Sequence, residues 1–326
     1  MRRSALRRAP AALAALTLLT TACATGGGDT DEPADASAPD EPLAVVVASY
    51  DVAAGEERRL MAGVLTADAV PLAFGEVTFE LGYLGEETAG EAEIVDETTA
   101  TYLPVLGLEP EIEPTEQATV LLDQDGTGVY EAFVDLPEPG FYGLRVTTEL
   151  DDGTTRQGQT TFEVLAEHQV PDVGDEAPRS ENLTIADVES GDVPASAVDS
   201  RAQGEDDEVP DPIIHDSTIA GSLEEGTPVV AVLSTPTYCV STFCGPLTEE
   251  MAAFAEEREG EVDVVHIEVW RDFEATELNE AAAEWIQTEA GGNEPWVFLI
   301  DGDGVIQGRW DNVLDLEDLE ARLAEL

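Results

Sequence analysis

The hydrophobic pattern changes period once along this chain, and that change limits it to two unlike kinds of layer. Between residues 42 and 166 the apolar residues come in short runs rich in Val, Thr, Tyr and Phe: LAVVVASYDV, ERRLMAGVLTA, EVTFELGYL, QATVLLD, GVYEAFVDL, GFYGLRVTTEL and RQGQTTFEVL. Turn residues such as DQDGTG, PEPG and DDG separate them, as they do between strands joined by tight connections. About seven such strands predict a two-layer β-sandwich. The Pro-bearing stretch ATYLPVLGLEPEIEP fits either a long loop or a cover over a strand edge. After residue 213 the apolar runs PVVAVLS, VDVVHIEVW and PWVFLID become continuous and alternate with STIAGSLEEG, LTEEMAAFAEEREG and LNEAAAEWIQTEA, which have helical spacing. Uninterrupted apolar strands need a sheet covered on both faces, so residues 213–326 are expected to form an α/β domain closed by the helix DLEDLEARLAEL. Gly302-Asp303-Gly304 marks a hairpin turn within it. Residues 167–212, dominated by Pro, Gly, Asp and Ser, read as an acidic linker.

Charge excludes one class of partner. The chain carries 71 Asp and Glu against 14 Arg and no Lys, for a net charge of −57. Such a surface repels phosphate backbones, so no nucleic acid is expected to bind. The acid is spread along the whole chain, which fits general solvation better than a dedicated site. The N-terminus combines the basic MRRSALRR with the apolar AALAALTLLTTA, too short to span a bilayer. Residues 1–22 therefore read as a signal peptide. With Cys23 directly after Ala22, the segment resembles a bacterial lipoprotein signal, although Thr20 stands where that signal usually has Leu. The resemblance implies a lipid on Cys23 and anchoring to the outer face of the cell membrane. Residues 23–41, rich in Gly, Asp and Ala, read as a disordered tether. Outside the cytoplasm the two remaining cysteines, Cys239 and Cys244, can be oxidised.

These two cysteines lie in STPTYCVSTFCGP, directly after an apolar run. PVVAVLSTPTYC resembles the strand and active-site turn of thioredoxins, CGPL the first turn of their redox helix, and EPWVFLIDGDGVI the later segment that opens on a cis-proline. The resemblance implies a thioredoxin-like fold over 213–326 and thiol–disulfide exchange at Cys239 and Cys244. It also implies that Pro295 holds the substrate chain beside the sulfur. Elementary physics agrees with the placement. A cysteine at a helix N-terminus meets the positive end of the dipole and free N–H groups, which favour the attacking thiolate. Pro246 suits a first helical turn. The spacing departs from the family, with four intervening residues instead of two. In an intact helix residues i and i+5 lie roughly 8–9 Å apart, whereas a disulfide needs Cα atoms within about 7 Å. The pair can therefore close only if VSTF is non-helical or melts. Counting from the strand makes Cys239 the attacking sulfur and Cys244 the resolving one; matching CGP reverses the first assignment and puts Leu247 where the partner belongs. The strands of 42–166 are in turn similar to an immunoglobulin-like sandwich of exported bacterial modules, which implies a spacer or binding role.

Three other chemistries fit the same residues. TPTYCVSTFCG resembles peroxiredoxins of the bacterioferritin-comigratory type, which share the four-residue gap. Pro236 replaces their Thr, however, and Pro295 stands where their Arg is expected, with Arg309 one strand further on. Exported copper chaperones of thioredoxin-like fold pair two cysteines with a His, and only His266 is available within the central strands; a lone His there is more often structural, and no metal or other cofactor is assigned. A non-enzymatic surface module with a stapling disulfide is the third. The expected partners are protein or small-molecule thiols and disulfides, and the membrane through the Cys23 lipid. Trp296 is a candidate for lining the redox site, and Glu294 near a sulfur would raise a thiol pKa.

Overall fold

The structure, a computed structural model, describes residues 41–88, 90–122, 126–204, 206–287 and 293–326. The expected signal peptide, Cys23 and nearly all of the tether lie outside the described residues. No helix among the described residues is long and apolar enough to cross a membrane. Residues Pro39–Leu326 form one compact unit.

Among the described residues its first half is built from nine strands: β1 (Ala44–Val47), β2 (Gly55–Leu65), β3 (Leu72–Ala73), β4 (Glu76–Gly85), β5 (Glu93–Pro104), β6 (Thr119–Val120), β7 (Gly128–Leu136), β8 (Gly140–Glu149) and β9 (Thr155–Val164). Seven of them make a single antiparallel sheet in the order β1-β2-β7-β5-β4-β8-β9. The two ends of that order nearly meet. Leu43 N donates to Gln157 O at 2.8 Å and Leu165 N to Val52 O at 2.8 Å, so the sheet almost closes on itself and leaves little open edge. Alternation along each strand follows from the strand period of two: Tyr142, Leu144, Val146 and Thr148 of β8 are buried while Arg145 faces out. The buried tyrosines keep their hydroxyls satisfied, Tyr130 donating to Phe74 O at 2.8 Å and Tyr142 to Glu138 O at 2.7 Å.

Two strand readings change. QATVLLD contributes only the two residues of β6, paired with β3 outside the main sheet. Its place in the sheet is taken by β5, whose end is the ATYLP of the apolar stretch. The missed strand carries EIVDETTA, whose side chains are exposed or half-buried apart from Ala100, the one fully buried residue of β5. Its pairing with β4 and β7, not its own hydrophobicity, makes it a strand.

The second half has four strands in one mixed sheet, order β11-β10-β14-β15: β10 (Val229–Ser234), β11 (Asp263–Glu268), β14 (Trp296–Ile300) and β15 (Ile306–Asp311). β10 runs parallel to β11 and antiparallel to β14, and every residue of β10 and β14 is buried. Alternate residues feed two apolar layers. Val229, Ala231 and Leu233 pack with α2 (Ile219–Glu225), Trp285 and Phe298; Val230 and Val232 pack with α3 (Cys244–Glu257) and α4 (Leu316–Leu323). A short hairpin, β12 (Trp270–Asp272) with β13 (Glu277–Leu278), follows β11. The helix expected over LNEAAAEWIQTEA reduces to a 3₁₀ turn, Ala282–Glu284, among the described residues. Asn279 holds the chain there, its Nδ2 donating to Ala197 O at 3.0 Å and also to Glu268 O.

Residues 167–212, expected as a linker, carry α1 (Ile185–Ser190) and the 3₁₀ turn Ala195–Ala197 and bury an apolar cluster of their own around Val193, Ala197 and Val198. The Gly302-Asp303-Gly304 turn joins β14 to β15. Asp301 Oδ1 accepts Asp303 N at 3.0 Å and Val305 N at 2.9 Å, and Gly304 sits at φ 91, where a side chain would be strained.

Candidate redox site

β10 ends at Ser234 and the chain turns at once, with Cys239 N donating to Thr235 O at 3.1 Å. The turn is pinned by the segment expected as linker. Thr237 N donates to Ser200 Oγ at 3.1 Å and Thr237 Oγ1 to Ser200 O at 2.8 Å. Gln203 Nε2 donates to the Tyr238 hydroxyl at 2.8 Å, and that ring stacks on Phe273 at 3.9 Å. Cys239 and Cys244 form a disulfide with Cα atoms 6.0 Å apart. α3 begins only at Cys244, and Val240–Phe243 is non-helical, with Thr242 at φ 65. The four-residue gap is thus accommodated as its length requires, by loop. The two sulfurs differ in access: Cys244 is 0 % exposed, Cys239 is half-buried, and Val240 between them is 96 % exposed.

The Glu294–Pro295 peptide is cis. Glu294 O accepts from the Tyr50 hydroxyl at 2.9 Å, and Pro295 O accepts from Asn312 N at 2.8 Å. Tyr50 belongs to the connection after β1, so the first half of the protein braces the Pro295 loop. A groove of about 450 Å³ brings Val240, Ser241 and Phe243 together with Glu294 and with Val46 and Tyr50. Two carboxyls lie in this region with raised proton affinity. Burial pushes Glu268 up to about 7, against the backbone N–H bonds from Ser200 and Trp270 that pull the other way. Burial, and then the charge of Glu268, push Glu294 up to about 7. Trp296, expected to line the site, is instead 0 % exposed in the core, stacked on Phe298 and capped by Arg309 at 5.0 Å. The chain direction explains this, because a residue inside a two-face-buried strand has no route to the surface. Arg309 is held by Asp51, its Nη2 donating to Oδ2 at 2.9 Å.

His266 is not alone. Its Nδ1 lies 2.9 Å from Nε2 of His215, and its Nε2 lies 2.9 Å from Ser234 Oγ. Asp199 stands beside them, with Oδ2 3.5 Å from His215 Nε2. The three bring ligand-type atoms within 4.8 Å of one another, all buried. Their lone pairs are already engaged, the imidazoles with each other and Asp199 with Arg201, whose Nη2 is 2.6 Å from Oδ2. Burial pulls His266 down to about 3, with the nearby His215 adding to the effect, and burial also lowers His215. Asp199 lies in the segment expected as a linker and His215 just beyond it, and nothing in the sequence singles out either. No local signal marks them, since only the packing around Asp199 and Pro212–Ile214 brings them to His266 on β11.

No family model matches this sequence, and no curated protein matches it. Among solved structures, the crystal structure of MtrC from Shewanella baltica is similar over 41% of this chain at 12% identity, with a TM-score of 0.22. The chain spans about a quarter of that structure's length, 24%, and a likeness at this level carries no argument about fold or function.

Proposed function

We propose that this protein is an extracytoplasmic thiol–disulfide oxidoreductase, anchored through Cys23 and acting through Cys239 and Cys244. The observation that carries the reading is the asymmetry of the pair: a half-buried sulfur on a loop, bonded to a buried sulfur in the first turn of α3. In the oxidised protein an incoming thiolate attacks Cys239 Sγ. A mixed disulfide forms, the Cys239–Cys244 bond breaks, and its electron pair leaves on Cys244 Sγ, where the helix N-terminus favours a thiolate. A second thiolate attacks the substrate sulfur of the mixed disulfide and releases Cys239 as thiolate. Run in reverse, Cys239 attacks a substrate disulfide and Cys244 resolves the intermediate.

The finer fold assignments belong to the same proposal. A parallel β10–β11 pair, an antiparallel β14–β15 pair and a helix that starts at the second cysteine support a thioredoxin-like domain over 213–326. The seven-stranded sheet supports an immunoglobulin-like module over 42–166, whose role is to brace the Pro295 loop through Tyr50.

The test is dithiothreitol-driven reduction of insulin by the full chain. Catalysis that is lost in Cys239→Ser is expected. No catalysis, together with a pair that stays oxidised below about −300 mV, would refute the enzyme reading and leave a staple. Thiol consumption that requires peroxide would move the assignment to a thiol peroxidase. Lipidation is checked separately by mass spectrometry of the N-terminal peptide, where an unmodified Cys23 removes the anchor.

A further inference from the structure

A line of polar groups runs beneath the cysteine turn, one proton short of filling its hydrogen bonds. It has five links. His215 Nδ1 faces Asp211 O at 3.1 Å, His215 Nε2 faces His266 Nδ1 at 2.9 Å, and His266 Nε2 faces Ser234 Oγ at 2.9 Å. Ser234 Oγ faces Thr248 Oγ1 at 2.7 Å, and Thr248 Oγ1 donates to Cys244 O at 2.7 Å. Each hydrogen bond needs one proton. Two neutral imidazoles, one serine and one threonine supply four in all. Asp211 O can only accept, so His215 must carry its proton on Nδ1. The imidazole–imidazole link then takes its proton from His266, and the His266–Ser234 link takes one from Ser234. Thr248 has a single proton for two links, and one link stays empty.

One added proton fills all five links in a single pattern. His215 then donates from both nitrogens, His266 donates to Ser234, Ser234 to Thr248, and Thr248 to Cys244 O. The added charge sits on His215, 3.5 Å from Asp199 Oδ2. The charged groups around it make a single positive charge the fitting occupant. Asp199 and Asp211 are both paired to Arg201, at 2.6 and 2.8 Å, for a net charge of −1. Glu268 faces the same side of β11 two residues on, Asp216 follows His215 in sequence, β10 offers no titratable side chain, and α3 presents its N-terminal end and Thr248. A divalent ion would leave a buried excess of positive charge and would have to push apart a pair of nitrogens that lie 2.9 Å from each other.

We propose that Asp199, His215 and His266 form a buried binding site for one proton, and that its occupancy is linked to the redox state of Cys244. The second clause rests on the redox reading above. In the occupied state the hydroxyl protons of Ser234 and Thr248 both point along the line toward Cys244. In the empty state the Thr248 proton is divided between Ser234 and the Cys244 carbonyl. Breaking the disulfide puts negative charge on Cys244 Sγ in that same helical turn, and this charge favours the occupied orientation. By reciprocity, a filled site favours the reduced cysteine. Burial disfavours the charged imidazoles, so the oxidised protein holds the site empty at neutral pH.

The test uses the full chain with ¹⁵N-labelled histidine, oxidised and then reduced with dithiothreitol, followed by NMR from pH 7 down to acid unfolding. The expected result is one proton shared by His215 and His266, bound at least about threefold more tightly after reduction. Thr248→Val keeps the shape but cuts the last links. With three links and three protons left, it should weaken proton binding and lose the difference between redox states. Identical titrations in the two states overturn the linkage, and no protonation of either ring before unfolding overturns the site. Saturation of both rings by one equivalent of Zn²⁺ would also overturn the proton assignment. These outcomes are separable from failure of the redox reading, because a pair that can be reduced but does not turn over insulin still permits the titration.

Discussion

Replacing Arg309 by Met should weaken the protein by stranding a charge. The Asp51 side chain is fully buried between β1 and β2 and faces Arg309 Nη2 at 2.9 Å, His168 Nδ1 at 3.1 Å and Gln169 N at 3.1 Å. Burial alone would raise its pKa, but the bonds from His168, Gln169 and Arg309 more than offset this and hold it below the ordinary range. It is therefore an anion that the fold must keep paired. Removing one partner of a buried pair costs roughly 3–5 kcal/mol, against about 1 kcal/mol for an ordinary hydrogen bond. With a urea slope of about 2–3 kcal/mol per molar, the midpoint should fall by about 1–2 M. Asp51→Asn removes the charge and leaves Arg309 with Asp172 as its counter-charge, 3.5 Å away, so it should cost only about 1–2 kcal/mol. The double variant should lie close to Asp51→Asn, because no stranded carboxylate remains. Trp270, Trp285, Trp296 and Trp310 all lie in the second half, so their fluorescence follows that half while circular dichroism follows the whole. The pH dependence has a definite sign. A carboxylate with a depressed pKa stabilises above its unfolded pKa, and that contribution is lost as pH falls through the folded value. In Arg309→Met the buried acid protonates readily instead, so its deficit should shrink as pH is lowered. Equal midpoint shifts for the two single variants, with an additive double, would refute the stranded-charge reasoning.

Three further outcomes are expected. Glu268, raised to about 7, favours the native state below the unfolded glutamate value near 4.3, and that contribution is lost as pH rises through about 7; urea midpoints should fall across this window, and Glu268→Gln should flatten the decline. In the reduced protein Cys239 should be alkylated by iodoacetamide well before the buried Cys244, as read by peptide mass spectrometry; faster labelling of Cys244 would reverse the assigned roles. Tyr50→Phe removes the hydroxyl that lies 2.9 Å from Glu294 O and 2.8 Å from Asn312 Oδ1; it should cost about 1 kcal/mol and raise hydrogen exchange in the Pro295 loop, and unchanged exchange there would remove Tyr50 as its brace.

Much of the local structure was legible in the sequence because side-chain periodicity reports it directly. The runs around β2, β4, β7, β8 and β9, the fully buried β10 and β14, and the hairpin at Asp303 all follow from spacing and turn residues. The length of VSTF likewise required loop between the cysteines, since a bond of fixed reach cannot span five residues of helix. β5 was not legible, because its acidic outer face hides a strand that only its neighbours enforce. Residues 278–287, the described part of LNEAAAEWIQTEA, differ for the opposite reason, as helical spacing there was overridden by the anchoring of Asn279 between Ala197 and Glu268. The cysteine pair was therefore determined by sequence, in identity and in the shape of its turn. What only the tertiary structure decided was its surroundings: Tyr50 on the Pro295 loop, Trp296 in the core, and Asp199 and His215 beside His266. The contacts of Tyr50 with the Pro295 loop and of His215 with His266 join residues from 51 to 262 positions apart, and a separation of that size leaves no period in the sequence from which to read them.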